Sequence, residues 1–139
     1  MKARAFVMIL LFVGGCASTH RITPQVAGQG VDFSQAASVQ VQLSSYKFTP
    51  STVRLKAGRA YALRLVNEAS QHHTFAAPEF FAAAKTAPGD ADKIAKGDVE
   101  LDPHQSVTVH LIPGAGQYKL VCTMFGHVLL GMNGTIKVE

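Results

Sequence analysis

A thiol, an imidazole and a thioether follow one another at intervals of five near the end of the chain, in Cys122, His127 and Met132. A soft thiolate and a thioether beside an imidazole form the donor set of trigonal copper sites, in which the Met is a long, weak axial ligand. Such a site needs one more His. The spacing of these residues therefore predicts a copper site that an upstream His completes.

The segment between Cys122 and Met132 is punctuated by Gly and is otherwise largely apolar, with no charged residue after His127. A solvated loop of this length is normally polar. Taken singly, each donor has a more ordinary explanation, because Cys and Met usually fill the core and a loop His is usually just exposed. The alternation from Thr135 to Val138 predicts a closing strand, which places the three donors on a connection between strands.

The run Cys122-x4-His127-x4-Met132-x-Gly134 resembles the C-terminal signature of the cupredoxins, small blue copper proteins such as azurin, plastocyanin and auracyanin. The resemblance covers the chain from about Val39 to its end. The ligand loop is longer than in azurin or plastocyanin and matches the spacing of auracyanin better.

The resemblance implies a further ligand His that follows a strand and an Asn and precedes a small polar residue and an aromatic one. Asn67 and the run His72-His73-Thr74-Phe75 fit this pattern. Adjacent strand residues point to opposite faces, so only one His can enter the site, and His73 fits better than the alternative His72. Thr74 stands where azurin-like members carry an Asn that ties the two ligand segments together. The ligand set implied for one copper ion is His73, Cys122, His127 and Met132.

Short apolar runs of period two indicate an all-β protein, an antiparallel sandwich with turn formers between its strands. The resemblance implies the Greek-key form of this fold. Pro78 and the helix formers up to Lys85 predict one short helical flap, with Phe80 and Phe81 packed on the core. Residues 86–98 are predicted to be a surface excursion before a strand that begins near Ser106.

Residues 1–16 are typical of a bacterial export signal, because Lys2 and Arg4 precede an apolar run too short to span a bilayer. The junction Val13-Gly14-Gly15-Cys16 resembles a lipoprotein signal box. This resemblance implies that Cys16 is lipidated and anchors the protein to the outer membrane, facing the periplasm. An ordinary signal peptide cut nearby is the alternative.

The sequence then divides into a signal peptide (1–16), a flexible tether (17–37) and a cupredoxin domain (38–139). The tether is rich in polar residues, Gly and Pro and has little hydrophobic periodicity. The remaining chain is long enough for one domain, and we expect a monomer. Lipidation of Cys16 would leave Cys122 as the one thiol in an oxidising compartment, where metal ligation protects it. A disulfide between Cys16 and Cys122 is the structural alternative.

Loss of Lys2 and Arg4 with the signal leaves eleven basic and nine acidic residues, without a basic cluster, so nucleic-acid binding is not expected. A further His cluster for a catalytic metal, a second loop Cys and a Cys-x-x-Cys-His haem motif are all missing from the sequence. We therefore expect no enzyme. Two functions stay open. One is an electron carrier that docks briefly with a redox partner near His127, and the other is copper delivery, sequestration or resistance.

Overall fold

The computed structural model describes residues 21–139, so the predicted signal peptide and the predicted lipidation at Cys16 lie outside the described part of the chain. Two β-sheets dominate this part. Its strands are β1 (Gln25–Val26), β2 (Ala37–Ser44), β3 (Lys47–Thr49), β4 (Thr52–Leu55), β5 (Tyr61–Asn67), β6 (His73–Ala76), β7 (Lys85–Thr86), β8 (Asp98–Leu101), β9 (Ser106–Ile112), β10 (Gly116–Val121) and β11 (Asn133–Val138).

The strands form one six-stranded sheet in the order β1–β7–β9–β5–β2–β3 and one five-stranded sheet in the order β4–β11–β10–β6–β8. The helix α1 (Pro78–Ala83) and a 3₁₀ helix (Pro88–Ile94) lie between β6 and β8 in the chain. Among residues 21–139, no helix is long and apolar enough to cross a membrane.

Crossings between the two sheets determine which strands run parallel. After β2 and β3 the chain passes to the other sheet for β4 and then returns for β5, which lies beside β2. Because of this excursion, β2 and β5 are parallel, from Ala37 opposite Tyr61 to Leu43 opposite Asn67. The pair β4 and β11 is parallel as well. The predicted Greek-key sandwich is confirmed, although its ladders are mixed and not purely antiparallel.

The core lies between the sheets and is built from alternate residues of the strands. In β5, for example, Tyr61, Leu63 and Leu65 are buried while the residues between them are more exposed. Phe80 and Phe81 of α1 are fully buried, as predicted, and α1 begins with Pro78 in its first turn. Burial of each such side chain contributes about 1.5–3 kcal/mol, so the flap is held firmly on the sandwich.

The segment 86–98 is only partly the surface excursion that the sequence predicts. Ile94, at the end of the 3₁₀ helix, is fully buried. After it, β8 pairs with β6, from Leu101 opposite His73 to Asp98 opposite Ala76. The two apolar positions of β8 are too few for a recognisable alternation, because its other residues are charged as suits the edge of a sheet.

Part of the predicted tether lies against the sandwich. β1 pairs in parallel with β7, and the Ala27 amide donates to the Thr86 carbonyl at 2.8 Å. Val26, Thr86, Leu111 and Tyr61 lie in one row across four neighbouring strands. β1 therefore joins the sheet level with the start of β5, at the end away from Asn67. The division of the chain at residue 37 stays a prediction.

A buried carboxylate attaches the 3₁₀ helix to β9. The side chain of Asp90 is only 8% exposed, and it accepts hydrogen bonds from Lys93 Nζ, from the His110 amide at 2.7 Å and from the His110 ring at 2.9 Å. Burial alone would raise the pKa of Asp90. The hydrogen bonds from Lys93 and His110 outweigh burial and hold this pKa below its ordinary value.

Replacement of Asp90 by Asn should lower the free energy of unfolding by about 1–3 kcal/mol at neutral pH, because the charged hydrogen bonds are lost. A depressed pKa in the folded state means that the carboxylate stabilises the fold fully above its unfolded pKa of about 3.9. The difference between wild type and Asp90→Asn should therefore shrink as pH falls through the lower folded pKa. Urea unfolding at several pH values measures it.

The exposed Asp92, on the same 3₁₀ helix, offers the matched control. Asp92→Asn should change the free energy of unfolding little at any pH. A difference between wild type and Asp90→Asn that stays constant down to acidic pH would show that packing, and not charge, accounts for the effect.

Candidate metal centre

The first predicted ligand, His73, begins β6 and is fully buried. The turn before it is organised by Asn67 at the end of β5. Asn67 Nδ2 donates to the carbonyls of Gln71 at 2.8 Å and Asp102 at 2.9 Å, while its Oδ1 accepts from the Ala69 amide at 3.0 Å. Because Asn67 is itself buried, these bonds fix where β6 starts and hence where the His73 side chain enters the interior.

The other three predicted ligands lie on the loop between β10 and β11, which closes on its own backbone. The Cys122 amide donates to the Met132 carbonyl at 3.2 Å, and the Met132 amide donates to the His127 carbonyl at 3.0 Å. Gly126 and Gly131 have φ of +80° and +94°, conformations that favour Gly. The side chains of Cys122 and Met132 are fully buried, whereas His127 is half-buried.

Three of the predicted donor atoms form a small triangle. His73 Nδ1 lies 3.2 Å from His127 Nδ1, and Cys122 Sγ lies 3.7 Å from His73 Nδ1 and 3.5 Å from His127 Nδ1. A point equidistant from these atoms is about 2 Å from each, which is the length of a bond between a transition metal and a His nitrogen. At most one of two facing ring nitrogens can carry a proton. The triangle therefore fits a single metal ion.

The electrostatics favour the neutral imidazole that a metal needs. Burial lowers the pKa of His73, and the proximity of His127 lowers it further. His73 Nε2 is buried and has no hydrogen-bond partner among residues 21–139, so no contact there offsets the loss of water. A thiol between two imidazoles is a donor set that suits copper, since the sulfur is soft and the nitrogens bind either oxidation state.

Thr74 ties β6 to the ligand loop. Its amide donates to Cys122 Sγ at 3.4 Å, while its hydroxyl accepts from the Thr123 amide at 2.7 Å and lies 2.9 Å from the Thr123 hydroxyl. The amide hydrogen bond stabilises negative charge on the sulfur. The sequence singled out Thr74 as the residue in the linking position, whereas Thr123 was missed because nothing local distinguishes it from an ordinary loop Thr.

The structure brings His73, and not His72, into the donor cluster. The side chain of His72 is 55% exposed, and its Nδ1 lies 3.1 Å from Asp102 Oδ1. His104 and His110 also lie outside the cluster. Among the described residues, the one group of three or more His, Cys, Asp or Glu side chains placed to hold a metal is His73, Cys122 and His127.

Sequence reasoning also missed Tyr46, in the turn between β2 and β3. Its ring packs edge-to-face on His127, with the ring centroids 5.1 Å apart. The available signal was an aromatic residue in a short turn, where Gly or Asn is usual.

A family model described as the cupredoxin-like domain matches residues 4–136. The chain belongs to the cupredoxin-like family. Together with the thiol and two imidazoles of the donor cluster, this membership assigns one copper ion as the cofactor of this cupredoxin. No curated protein matches the chain.

Solved structures similar to this cupredoxin include three auracyanins. Auracyanin B is 22% identical, with a TM-score of 0.58 over 88% of this chain and 99% of that chain. Dithionite-reduced auracyanin from Roseiflexus castenholzii is 16% identical, with a TM-score of 0.55 over 75% and 98%. Auracyanin A, described as a "blue" copper protein from Chloroflexus aurantiacus, is 22% identical, with a TM-score of 0.50 over 74% and 100%. At these identities the likeness shows the fold.

The neighbouring histidines provide a direct test of the register. His73→Ala should abolish stoichiometric copper binding, because it removes one corner of the triangle. His72→Ala, the matched control, should bind copper as the wild type does, since its side chain faces Asp102 and solvent. Titration with copper followed by dialysis and metal analysis measures both. Loss of copper from His72→Ala but not from His73→Ala would mean that His72, and not His73, is the ligand.

Proposed function

We propose that this cupredoxin is a mononuclear type 1 copper protein that carries single electrons, with His73, Cys122, His127 and Met132 as ligands. The observation that supports it most is the triangle of donor atoms, 3.2–3.7 Å apart, already assembled by β6 and the ligand loop. Met132 is fully buried, and its backbone is hydrogen-bonded to those of Cys122 and His127, which supports it as the fourth ligand.

The fold keeps the donors in place during electron transfer. His73 is fixed through Asn67, and Cys122 is fixed through Thr74 and the closed loop. When bound, copper supplies a one-electron couple between Cu(I) and Cu(II). Ligands held by β6 and by the closed loop of the same sheet would move little between the two states, so little reorganisation would oppose transfer. Burial of Cys122 and His73 also excludes water from the thiolate.

An apolar docking patch surrounds His127, and we define it as Phe125, Val128, Leu129 and Leu130. These side chains are 104%, 45%, 92% and 59% exposed, an unusual concentration of apolar surface. We propose that a redox partner protein contacts this patch and that the electron passes through His127, the half-buried ligand. A small patch without charged residues makes a weak contact, which favours rapid release after each transfer.

Export and anchoring complete the proposal. The basic start and apolar run of residues 1–16 and the lipobox-like junction at Cys16 support a periplasmic protein held to the outer membrane by lipid. The chain acts as a monomer in this proposal, and its role is transport of electrons, not catalysis.

Copper-loaded protein without its signal should show an intense absorption band toward the red end of the visible spectrum, from charge transfer between the Cys122 thiolate and Cu(II). Cys122→Ser should abolish the band. Met132→Leu, the control within the same loop, should keep the band and raise the reduction potential, because Met132 would bind the copper weakly and would only tune its potential. Absorption and EPR spectra measure these effects. A pale protein with an ordinary tetragonal EPR signal would contradict a type 1 site.

Retention of metal separates a carrier from a delivery protein. A carrier must keep its copper through every cycle, so reduced protein mixed with a Cu(I) chelator should hold its metal for hours and exchange electrons with a small oxidant in milliseconds. The preformed site gives the reason, since the buried Cys122 and His73 cannot be reached by a chelator unless the loop opens. Chelator absorbance and stopped-flow mixing measure the two rates. Rapid copper loss with slow electron exchange would favour delivery.

A further inference from the structure

Tyr46 connects the ligand loop to the other sheet of the sandwich. Its ring centroid lies 5.1 Å from that of His127, and the two ring planes meet at 85°. This edge-to-face arrangement is a favourable geometry for aromatic rings. Tyr46 belongs to the turn between β2 and β3 of the six-stranded sheet, whereas the loop of His127 joins two strands of the five-stranded sheet. The contact therefore spans the two sheets.

The backbone of Tyr46 is in an uncommon conformation for its residue type. Ser45 and Tyr46 form a two-residue turn between Ser44 and Lys47, which pair with each other. Tyr46 has φ of +60°, in the left-handed region where such turns favour Gly or Asn and where a bulky residue is rare. Residues held in disfavoured backbone regions concentrate at functional sites. The conformation of Tyr46 thus indicates that its side chain has a functional role.

The imidazole of His127 needs support from outside its own loop. Hydrogen bonds hold the His127 backbone to Met124 and Met132, but they leave its side-chain torsions free. Phe125 and Leu129, the large neighbours in the loop, extend into solvent and cover little. In the described part of the chain, the aromatic rings packed on the imidazole are those of His73, at 4.9 Å between centroids, and Tyr46.

The ring of Tyr46 makes this contact, and the hydroxyl does not. Among residues 21–139 the Tyr46 hydroxyl has no hydrogen-bond partner, whereas the hydroxyls of Tyr61 and Tyr118 each bond to the backbone. Tyr46 is partly buried against the core. A Phe at this position would keep the same edge-to-face packing.

We propose that Tyr46 is a positioning residue, whose ring holds the His127 imidazole with Nδ1 directed at Cys122 Sγ and His73 Nδ1. The proposal rests on the proposed function, because it makes Tyr46 the residue that keeps the most exposed ligand in place. An imidazole that rotates away opens the triangle at the corner nearest to solvent. Tyr46 therefore slows the loss of copper through that corner.

Three variants test the role of the ring. Tyr46→Asn removes the ring and suits the left-handed backbone, so the turn still forms. Tyr46→Leu removes the ring but keeps apolar bulk, and Tyr46→Phe removes the hydroxyl alone. The matched control is Phe33→Leu, which removes another aromatic ring that packs edge-to-face on a His, at 6.1 Å from His110 and away from the donor cluster.

The first measurement needs no metal. In metal-free protein with labelled His, the ring signals of His127 should shift and broaden in Tyr46→Asn and Tyr46→Leu and stay as in wild type in Tyr46→Phe and Phe33→Leu. The backbone amide spectrum confirms that each variant is folded. Unchanged His127 ring signals in both ringless variants would overturn the proposal.

The second measurement follows transfer of Cu(I) from reduced protein to a chelator. Loss of a residue that orients a ligand typically costs 10- to 100-fold in metal affinity, so Tyr46→Asn and Tyr46→Leu should release copper roughly 10-fold to 100-fold faster than wild type. Tyr46→Phe should release it at the wild-type rate. Equal rates in all variants would overturn the proposal. If wild type forms no type 1 site at all, the proposed function fails, while the metal-free ring signals still decide the role of Tyr46.

Discussion

The metal centre depends on how Thr74 joins β6 to the segment that follows β10. These two strands share a single paired position, Val121 opposite Ala76, so the regular ladder ends before it reaches the donors. From there the amide of Thr74 bonds to Cys122 Sγ, and its hydroxyl bonds to Thr123. This small set of bonds replaces the missing ladder. Together with the Val121–Ala76 pair, it keeps His73 of β6 within reach of the donors of the loop.

The ligand loop between β10 and β11 contains both fully buried and highly exposed residues. Cys122 and Met132, at its base, are fully buried, while Phe125 and Leu129, at its tip, project into solvent. Exposure of large apolar side chains is unfavourable for an isolated protein. Backbone hydrogen bonds at the base close the loop, and Gly126 and Gly131 adopt the positive φ angles that this closure uses.

Much of this arrangement could be predicted from the sequence, wherever the determining signal is local. The spacing of Cys122, His127 and Met132 lies within one loop, and the core follows from alternation along single strands. The opposite orientation of neighbouring strand residues implied that only one of His72 and His73 enters the site, and the resemblance to the cupredoxin pattern favoured His73. The sequence could not reveal the parallel pairing of β2 with β5, because it arises from a crossing between sheets. The contact of Tyr46 with His127 could not be predicted either, because the two residues are 81 positions apart in the chain.

The position of β1 has a further consequence for a protein held at a surface by its N-terminus. β1 joins the six-stranded sheet at the end away from Asn67, whereas Asn67 fixes the turn that leads to His73. Within the described residues, attachment to the domain begins at Ile22, whose amide donates to the Ala95 carbonyl, well before Ala37. In the proposed lipoprotein, this attachment shortens the extended length of the tether by on the order of 50 Å. In the proposed lipoprotein, the anchored N-terminus therefore joins the domain at one end of the six-stranded sheet, and the candidate copper site lies toward the opposite end.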